Sequence, residues 1–255
     1  ETPSNAELNI TTGDAREILT ALYPSLYVDP GTILSLNLSE GENISLNVIS
    51  GLISYGNIFA KDFSLSADSN DGPVALNALA GIFRIGQYQY SDSNITASVD
   101  SNTVDMNFKF DNGGKYGNEA NASKADISAS LFFADTTASD VVMIARLHPS
   151  IVEINGSNVN LSPSTIKLKR YSAIIDSFSI SGTDSRFEVN GTISKNAADT
   201  INLAVDNFDL STLNGFVLDP DDNIQGRLTG TASASGITGP NFAFFSSLKG
   251  REFCF

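Results

Sequence analysis

Short runs in which apolar and polar residues alternate recur along most of the chain. In one of them Ile44, Leu46 and Val48 alternate with Ser45 and Asn47. A period of two places the apolar side chains on one face and the polar ones on the other, as in half-buried antiparallel strands. The same pattern occupies residues 104–110, 127–133, 187–193, 201–205 and 224–230. The alternation therefore predicts an all-β protein.

Two segments break this alternation. Residues 14–23 and 209–217 carry apolar residues at the three- and four-residue spacing of one helix face. Pro24 follows the first segment, and Asp209 is a suitable N-cap for the second. We expect two short helices that cover an end of the sheet.

The least apolar stretch divides the chain. Residues 111–124 are rich in glycine and asparagine, which predicts a long exposed loop between two β segments. The expected organisation is a β segment over residues 1–110, the loop, and a second β segment over residues 125–255.

Composition excludes several classes of function. Of the 255 residues 41% are hydrophobic and 17% charged, which favours a folded chain over a disordered one. The formal net charge is −14, with 29 acidic and 15 basic side chains, and no basic stripe is present. Nucleic acids and electrostatic capture on anionic membrane surfaces are therefore not expected. No apolar run approaches the roughly 20 residues of a membrane-spanning helix.

Candidate catalytic chemistry is sparse. The only histidine, His148, follows the apolar run 141–145, so we expect it to end a strand rather than to act as a catalytic base. The only cysteine, Cys254, lies between phenylalanines and is interpreted as an inert apolar residue. One cysteine and one histidine exclude an intrachain disulfide and a Cys/His zinc site.

Metal and glycosidase sites receive little support. Residues 219–223 begin like a calcium loop, but Ile224 and Gly230 stand where glycine and glutamate are required. Residues 68–72 fail similarly, and both segments are interpreted as turns. Paired carboxylates for glycoside hydrolysis are compatible with the sequence, although no aromatic-rich cleft pattern accompanies them. We expect neither an enzyme nor a bound cofactor or metal.

The order of several motifs resembles a known family. A strand ends in Gly-Thr-Ile-Ser at residues 191–194, Asn-Phe-Asp-Leu-Ser-Thr-Leu follows at residues 207–213, and Gly-Arg-Leu-Thr-Gly follows at residues 226–230. This succession is similar to that of the translocation and assembly module (TamB) family, within the AsmA-like group of Gram-negative envelope proteins. It covers residues 151–239 well and the first 110 residues more loosely. Val159 stands where the family pattern leads us to expect an aromatic residue.

The resemblance implies a fold and a function. Members are long periplasmic bridges, anchored in the inner membrane and reaching towards the outer membrane. Their elongated, curved antiparallel sheet forms a U-shaped apolar groove through which phospholipid acyl chains pass. A partner outer-membrane barrel of the TamA or BamA type and a role in outer-membrane protein assembly are also implied. The chain is then expected to be an internal segment, with its inner-membrane anchor outside it.

Residues of the alternating runs are the candidates for lining such a groove. They are Phe63, Leu65, Met106, Phe108, Leu131, Phe133, Phe178, Ile180, Val189, Ile193, Leu203 and Val205. The alternation itself also fits a closed sandwich in which the same residues form the core. A surface or adhesin-type β-sandwich, binding a protein or glycan through its polar loops, is therefore the alternative function.

Overall fold

The computed structural model describes residues 5–39, 43–69, 72–86, 88–112, 123–134, 141–154, 157–210 and 225–254. The chain divides into two compact units, Glu1–Lys124 (unit 1) and Ala125–Phe255 (unit 2). Each unit is a twisted arrangement of antiparallel strands, and the predicted all-β antiparallel class is confirmed.

Unit 1 is an antiparallel sheet with one short helix. Its elements are β1 (Ala6–Thr11), α1 (Arg16–Leu22), β2 (Leu26–Val28), β3 (Ile33–Ser39), β4 (Asn43–Tyr55), β5 (Ile58–Ser69), β6 (Val74–Ile85), β7 (Tyr88–Asp100) and β8 (Thr103–Asp111). Neighbouring strands follow the order β1-β3-β4-β5-β6-β7-β8. Strand β2 pairs with the far end of β4, beyond the part that pairs with β3.

Unit 2 is built in the same way. Its strands are β9 (Ser123–Phe133, whose first two residues belong to unit 1), β10 (Val141–Leu147), β11 (Ser150–Ile154), β12 (Ser157–Leu161), β13 (Ser164–Lys169), β14 (Ser172–Ser181), β15 (Arg186–Ser194), β16 (Thr200–Asp209), β17 (Gln225–Ser235) and β18 (Ala243–Cys254). The order of neighbours is β9-β10-β13-β14-β15-β16-β17-β18. The hairpin β11–β12 pairs with the free end of β14.

The other predicted elements fall as follows. Helix α1 lies inside the predicted segment 14–23, and the Asp14 carboxylate accepts a hydrogen bond of 3.2 Å from the Arg16 amide. The second predicted helix begins at the last residue of β16, and its residues 211–217 lie outside the described residues. The predicted loop 111–124 is shorter than expected at both ends, because Asp111 ends β8 and β9 begins at Ser123. Residues 113–122 lie outside the described part.

Three strands of unit 2 bend at residues with positive φ. These are Ser177 in β14 (φ 55°), Asn207 in β16 (φ 46°) and Glu252 in β18 (φ 55°). The pairing register shifts by one residue at each position. Such β-bulges bend the strand and increase its twist. Asn207 is held in place because its side chain donates a hydrogen bond of 3.0 Å to the Asp184 carbonyl.

Glycines allow the neighbouring strands to approach closely beside these bulges. Gly191 and Gly230 have φ of 122° and 138°, which side chains with a Cβ rarely adopt. A Cβ at Gly191 would overlap the Thr200 carbonyl oxygen, and one at Gly230 would overlap the Ser247 carbonyl oxygen. Only glycine fits either position without moving backbone.

Two strands of unit 1 also contain residues with positive φ, but their pairing register does not shift there. Asp62 in β5 and Asp92 in β7 have φ of 51° and 46°. The register on either side of them is unchanged, and Gly51 and Gly81 of the neighbouring strands stand opposite these aspartates. The row across β4 to β7 therefore consists of Gly51, Asp62, Gly81 and Asp92. Aspartate is among the non-glycine residues that tolerate the left-handed region best.

A cluster of hydroxyl groups lies next to Gly51, at the β4 end of this row. The Thr32 and Ser50 hydroxyls, both buried, are 2.7 Å apart. The Thr32 hydroxyl also lies 2.8 Å from the Asp29 carbonyl oxygen and the Ser50 hydroxyl 2.8 Å from the Leu52 carbonyl oxygen, so two hydroxyl protons are shared among three contacts. The Asp29 carboxylate accepts a hydrogen bond from the Tyr27 hydroxyl, which raises the pKa of that phenol. Buried polar groups are therefore paired where the strand departs from regular geometry.

Replacing the two constrained glycines is expected to destabilise unit 2. Gly191→Ala and Gly230→Ala should each lower the free energy of unfolding by about 2–5 kcal/mol, because backbone strain adds to overpacking. Gly182→Ala is the matched control, since its Cβ meets only the rotatable Ser185 hydroxyl. Urea denaturation followed by circular dichroism measures all three. Equal losses for Gly182→Ala and Gly191→Ala would contradict the assignment.

Candidate functional site: one apolar face in each unit

Cross-strand pairing in unit 1 aligns apolar residues in rows across the sheet. One row is Leu36, Leu46, Ala67, Leu76, Ala97 and Met106, and the next is Leu34, Val48, Leu65, Ala78, Ile95 and Phe108. Paired residues share a face, as do residues two apart on a strand. Both rows therefore belong to one surface, which we call the apolar face of unit 1.

The opposite surface of unit 1 contains a continuous polar row. A single row across seven strands reads Asn9, Ser35, Asn47, Ser66, Asn77, Thr96 and Asn107. Asn94 lies in the next row on this face, and its side chain donates a hydrogen bond of 2.7 Å to the Asn77 side chain. That neighbouring row also holds Ile33, Ile49 and Leu79, so this face is more polar than the apolar face but still carries large exposed apolar side chains.

Unit 2 repeats this arrangement. Its apolar face consists of the rows Phe133, Met143, Leu168, Ala173, Ile193; Leu131, Ala145, Ile166, Ile175, Gly191, Ile201, Ala234, Phe244; Phe178, Val189, Leu203, Ala232; and Ile180, Phe187, Val205, Gly230, Leu248. Asn190, Asn202 and Ser233 form a row on the opposite face that continues to Phe245. Phe132, Ile144 and Ile174 also lie on that face. None of the residues in these apolar rows is charged.

The structure brings the sequence-predicted lining residues onto these two faces. Phe63, Leu65, Met106 and Phe108 lie on the apolar face of unit 1. The other eight lie on the apolar face of unit 2: Leu131, Phe133, Phe178, Ile180, Val189, Ile193, Leu203 and Val205. Phe178, Val189 and Leu203 are direct neighbours in one row. Val205 is buried, Phe133 is 43% exposed, and the other ten are half-buried.

Sequence reasoning missed aromatic residues that extend each face past its bend. The Tyr90 ring lies 5.4 Å from that of Phe108 and 4.9 Å from that of Phe110. The Phe187 and Phe208 rings are 5.3 Å apart. Tyr90 and Phe208 are out of phase with the alternation of their own strands, because Asp92 and Asn207 interrupt it. Each positive-φ residue shifts the apolar–polar alternation of its strand by one position, so the apolar side chains beyond it stay on the same face of the sheet.

A repeat in the sequence would have revealed these positions. Residues 43–69 and 73–99 align with an offset of 30 residues. The offset pairs Asn47 with Asn77, Gly51 with Gly81, Gly56 with Gly86, Asp62 with Asp92 and Ala67 with Ala97. Each copy is one hairpin, β4–β5 or β6–β7, with the bend row at the same place. Aspartate and glycine recurring at fixed positions within alternating runs are therefore the signal for the bend.

The described residues do not form a closed apolar core. Only five buried apolar side chains among them are larger than alanine, namely Phe110, Val152, Val159, Val205 and Phe208. The other buried apolar residues are alanines, and the buried polar ones are nine serines and Thr32. Small residues are covered by larger neighbours in the same row, as Ala80 is beside Phe63. Most large apolar side chains remain partly accessible.

The candidate catalytic and metal-binding residues are not assembled into a site. His148 is exposed, and its Nε2 lies 2.7 Å from the buried Ser130 hydroxyl. Cys254 is the last residue of β18. Across the part of the chain that the structure covers, no group of three or more histidine, cysteine or acidic side chains is arranged to hold a metal ion. Residues 219–223 lie outside that part.

Comparison with models of protein families, with curated proteins and with solved structures finds no match for this chain. Within the described ranges no helix is both long and apolar enough to cross a membrane. The apolar faces of the two units are therefore the candidate functional site on their geometry alone.

The left-handed conformation at Asp92 predicts how substitutions there behave. Asp92→Val is expected to lower the free energy of unfolding by about 1–2 kcal/mol, because a β-branched residue at positive φ is strained. Asp92→Gly is expected to lose no stability. Ser98→Val, at an exposed position of the same strand without positive φ, is the control. Thermal denaturation that ranks Asp92→Val with Ser98→Val would contradict the role of the bend.

Proposed function

We propose that the protein shields the acyl chains of phospholipids on its apolar faces, each curved into a U-shaped groove, as part of a bridge between inner and outer membranes. The proposal follows the resemblance to the TamB family. It places the chain in the periplasm, within a protein anchored in the inner membrane. It is not an enzyme, since the function needs neither a nucleophile nor a cofactor.

The observation that carries the proposal is the incomplete burial of the large apolar side chains. Ten of the twelve predicted lining residues are half-buried rather than enclosed. Each CH₂ group removed from water contributes roughly 0.8 kcal/mol, so an acyl chain lying along these rows gains binding energy from many such groups. Extended exposed apolar surface in a folded protein marks a site for an apolar partner.

The bends support a groove rather than a flat sheet. Bulges at Ser177, Asn207 and Glu252 bend alternate strands of unit 2, and each lies further along the sheet than the one before it. Gly191 and Gly230, which belong to the motifs that resemble the family, are the glycines beside these bulges. Strand pairing also satisfies the backbone polar groups beneath an acyl chain, where water is absent.

Passage between membranes needs partners outside this chain. An outer-membrane barrel of the TamA or BamA type is the expected partner at one end, and assistance to outer-membrane protein assembly is a second expected role. Both rest on the family resemblance alone.

The alternative is an adhesin-type β-sandwich that binds through its polar surface. The in-register row of asparagine, serine and threonine in unit 1 favours it, because such amides and hydroxyls can bind a glycan or protein. In a sandwich the apolar faces would be covered by protein and would take up no lipid. Lipid uptake therefore separates the two functions.

Arginine substitutions on the apolar face test the proposal. Phe108→Arg, Phe178→Arg and Leu203→Arg are each expected to reduce the phospholipid that co-purifies with detergent-free protein about fivefold or more, because a charge must then be desolvated. Lipid is quantified by extraction and mass spectrometry, and circular dichroism checks that the β structure persists. Asn202→Arg, next to Leu203 but on the polar face, is the matched control.

Two outcomes would contradict the groove. One is wild-type protein that contains no phospholipid and takes none up from vesicles. The other is equal lipid content in wild type and all three apolar-face variants.

A further inference from the structure

Three cationic side chains lie at one end of neighbouring strands in unit 2. Lys169 and Arg170 lead from β13 into the turn before β14, and Lys195 directly follows β15. Lys169 pairs with Ser172, and Ser172 pairs with Ser194, so the two turns are adjacent.

Two of these cations are available to a ligand. Arg170 and Lys195 are exposed, and neither forms an ion pair with the described residues. The nearby Asp199 carboxylate accepts a hydrogen bond of 2.7 Å from the Ser194 hydroxyl. The Lys195 ammonium lies 5.9 Å from the centroid of the Tyr171 ring, which is 74% exposed. We call Arg170, Tyr171 and Lys195 the basic turn.

The basic turn borders the apolar face. The row Leu168, Ala173, Ile193 is the last apolar row before it. Arg170 and Lys195 each follow that row by two residues in sequence, at the ends of β13 and β15. An acyl chain on this row therefore ends close to both cations, at the boundary between apolar surface and water.

We propose that Arg170 and Lys195 bind the phosphate of a phospholipid whose acyl chains lie on the apolar face of unit 2. This inference rests on the proposed function and adds the class of headgroup to it. The guanidinium offers two parallel donors to phosphate oxygens, and the ammonium offers a compact second charge. Tyr171 suits the boundary, with an apolar ring and a polar hydroxyl.

Retention of two lipids with the same acyl chains tests this. Protein is loaded from mixed micelles with dioleoylphosphatidylglycerol or with dioleoylglycerol, which lacks the phosphate, and lipid retained after gel filtration is quantified. Arg170→Glu/Lys195→Glu is expected to retain about tenfold less of the phospholipid, since charge-assisted hydrogen bonds are lost. Its retention of dioleoylglycerol is expected to stay within twofold of wild type. Lys249→Glu/Arg251→Glu, on exposed positions of β18, makes the same change in net charge and is expected to leave both values unchanged.

The outcomes distinguish this inference from the proposed function. Wild type that retains neither lipid refutes both. Wild type that retains both lipids equally, or a double variant that loses both equally, refutes the phosphate site and leaves the groove standing. An equal loss of phospholipid in the β18 control shows an effect of net charge only and also refutes the site. Inorganic phosphate that binds as tightly as the phospholipid, and is lost in the double variant, assigns the turn to free phosphate instead.

Discussion

The two-residue period of the β-strand is the constraint on which this structure depends. It sorts each strand into an apolar and a polar side, and the register then adds these sides into continuous faces. In most β proteins a second layer covers the apolar face. Within the described residues of each unit, few large side chains are fully buried, so stability comes from the backbone ladders and from contacts between neighbours in a row. The pairing of Phe63 with Ala80, and of Leu65 with Ala78, shows how large and small residues share that surface.

A bent sheet has to solve a problem of phase. A residue in the left-handed conformation interrupts the two-residue period of its strand, so the apolar positions beyond it must shift by one to stay on the same face. The left-handed conformation costs roughly 1–2 kcal/mol for a non-glycine residue. Asp62 and Asp92 adopt it in unit 1, and Ser177 and Asn207 adopt it at the bulges of unit 2. The contacts of Tyr90 with Phe108 and of Phe187 with Phe208 show that the apolar surface continues across the break.

The strands and the composition of each face were predictable because alternation is a local property of sequence. All twelve residues selected from it lie on the apolar faces. The aromatic residues beyond the bends were not predictable from alternation, since the position of Tyr90 depends on the φ of Asp92. The 30-residue repeat, which gives Asp62 and Asp92 equivalent positions, was the feature of the sequence that indicated the bends. Whether the face is closed or open could not be read from alternation, because it depends on what lies above the face rather than on the strand itself.

The chemistry of the faces limits where selectivity can reside under the proposed function. The rows of unit 2 hold aliphatic and aromatic side chains with alanine and glycine, so they distinguish acyl chains only by the area that each chain covers. Such uniform contacts suit movement along a track, because no single position binds much more tightly than the next. Recognition of a headgroup requires directed donors, and these lie at the strand ends rather than on the face. Arg170 and Lys195 are placed there, beside the last apolar row, where a phosphate can remain in water while its acyl chains leave it.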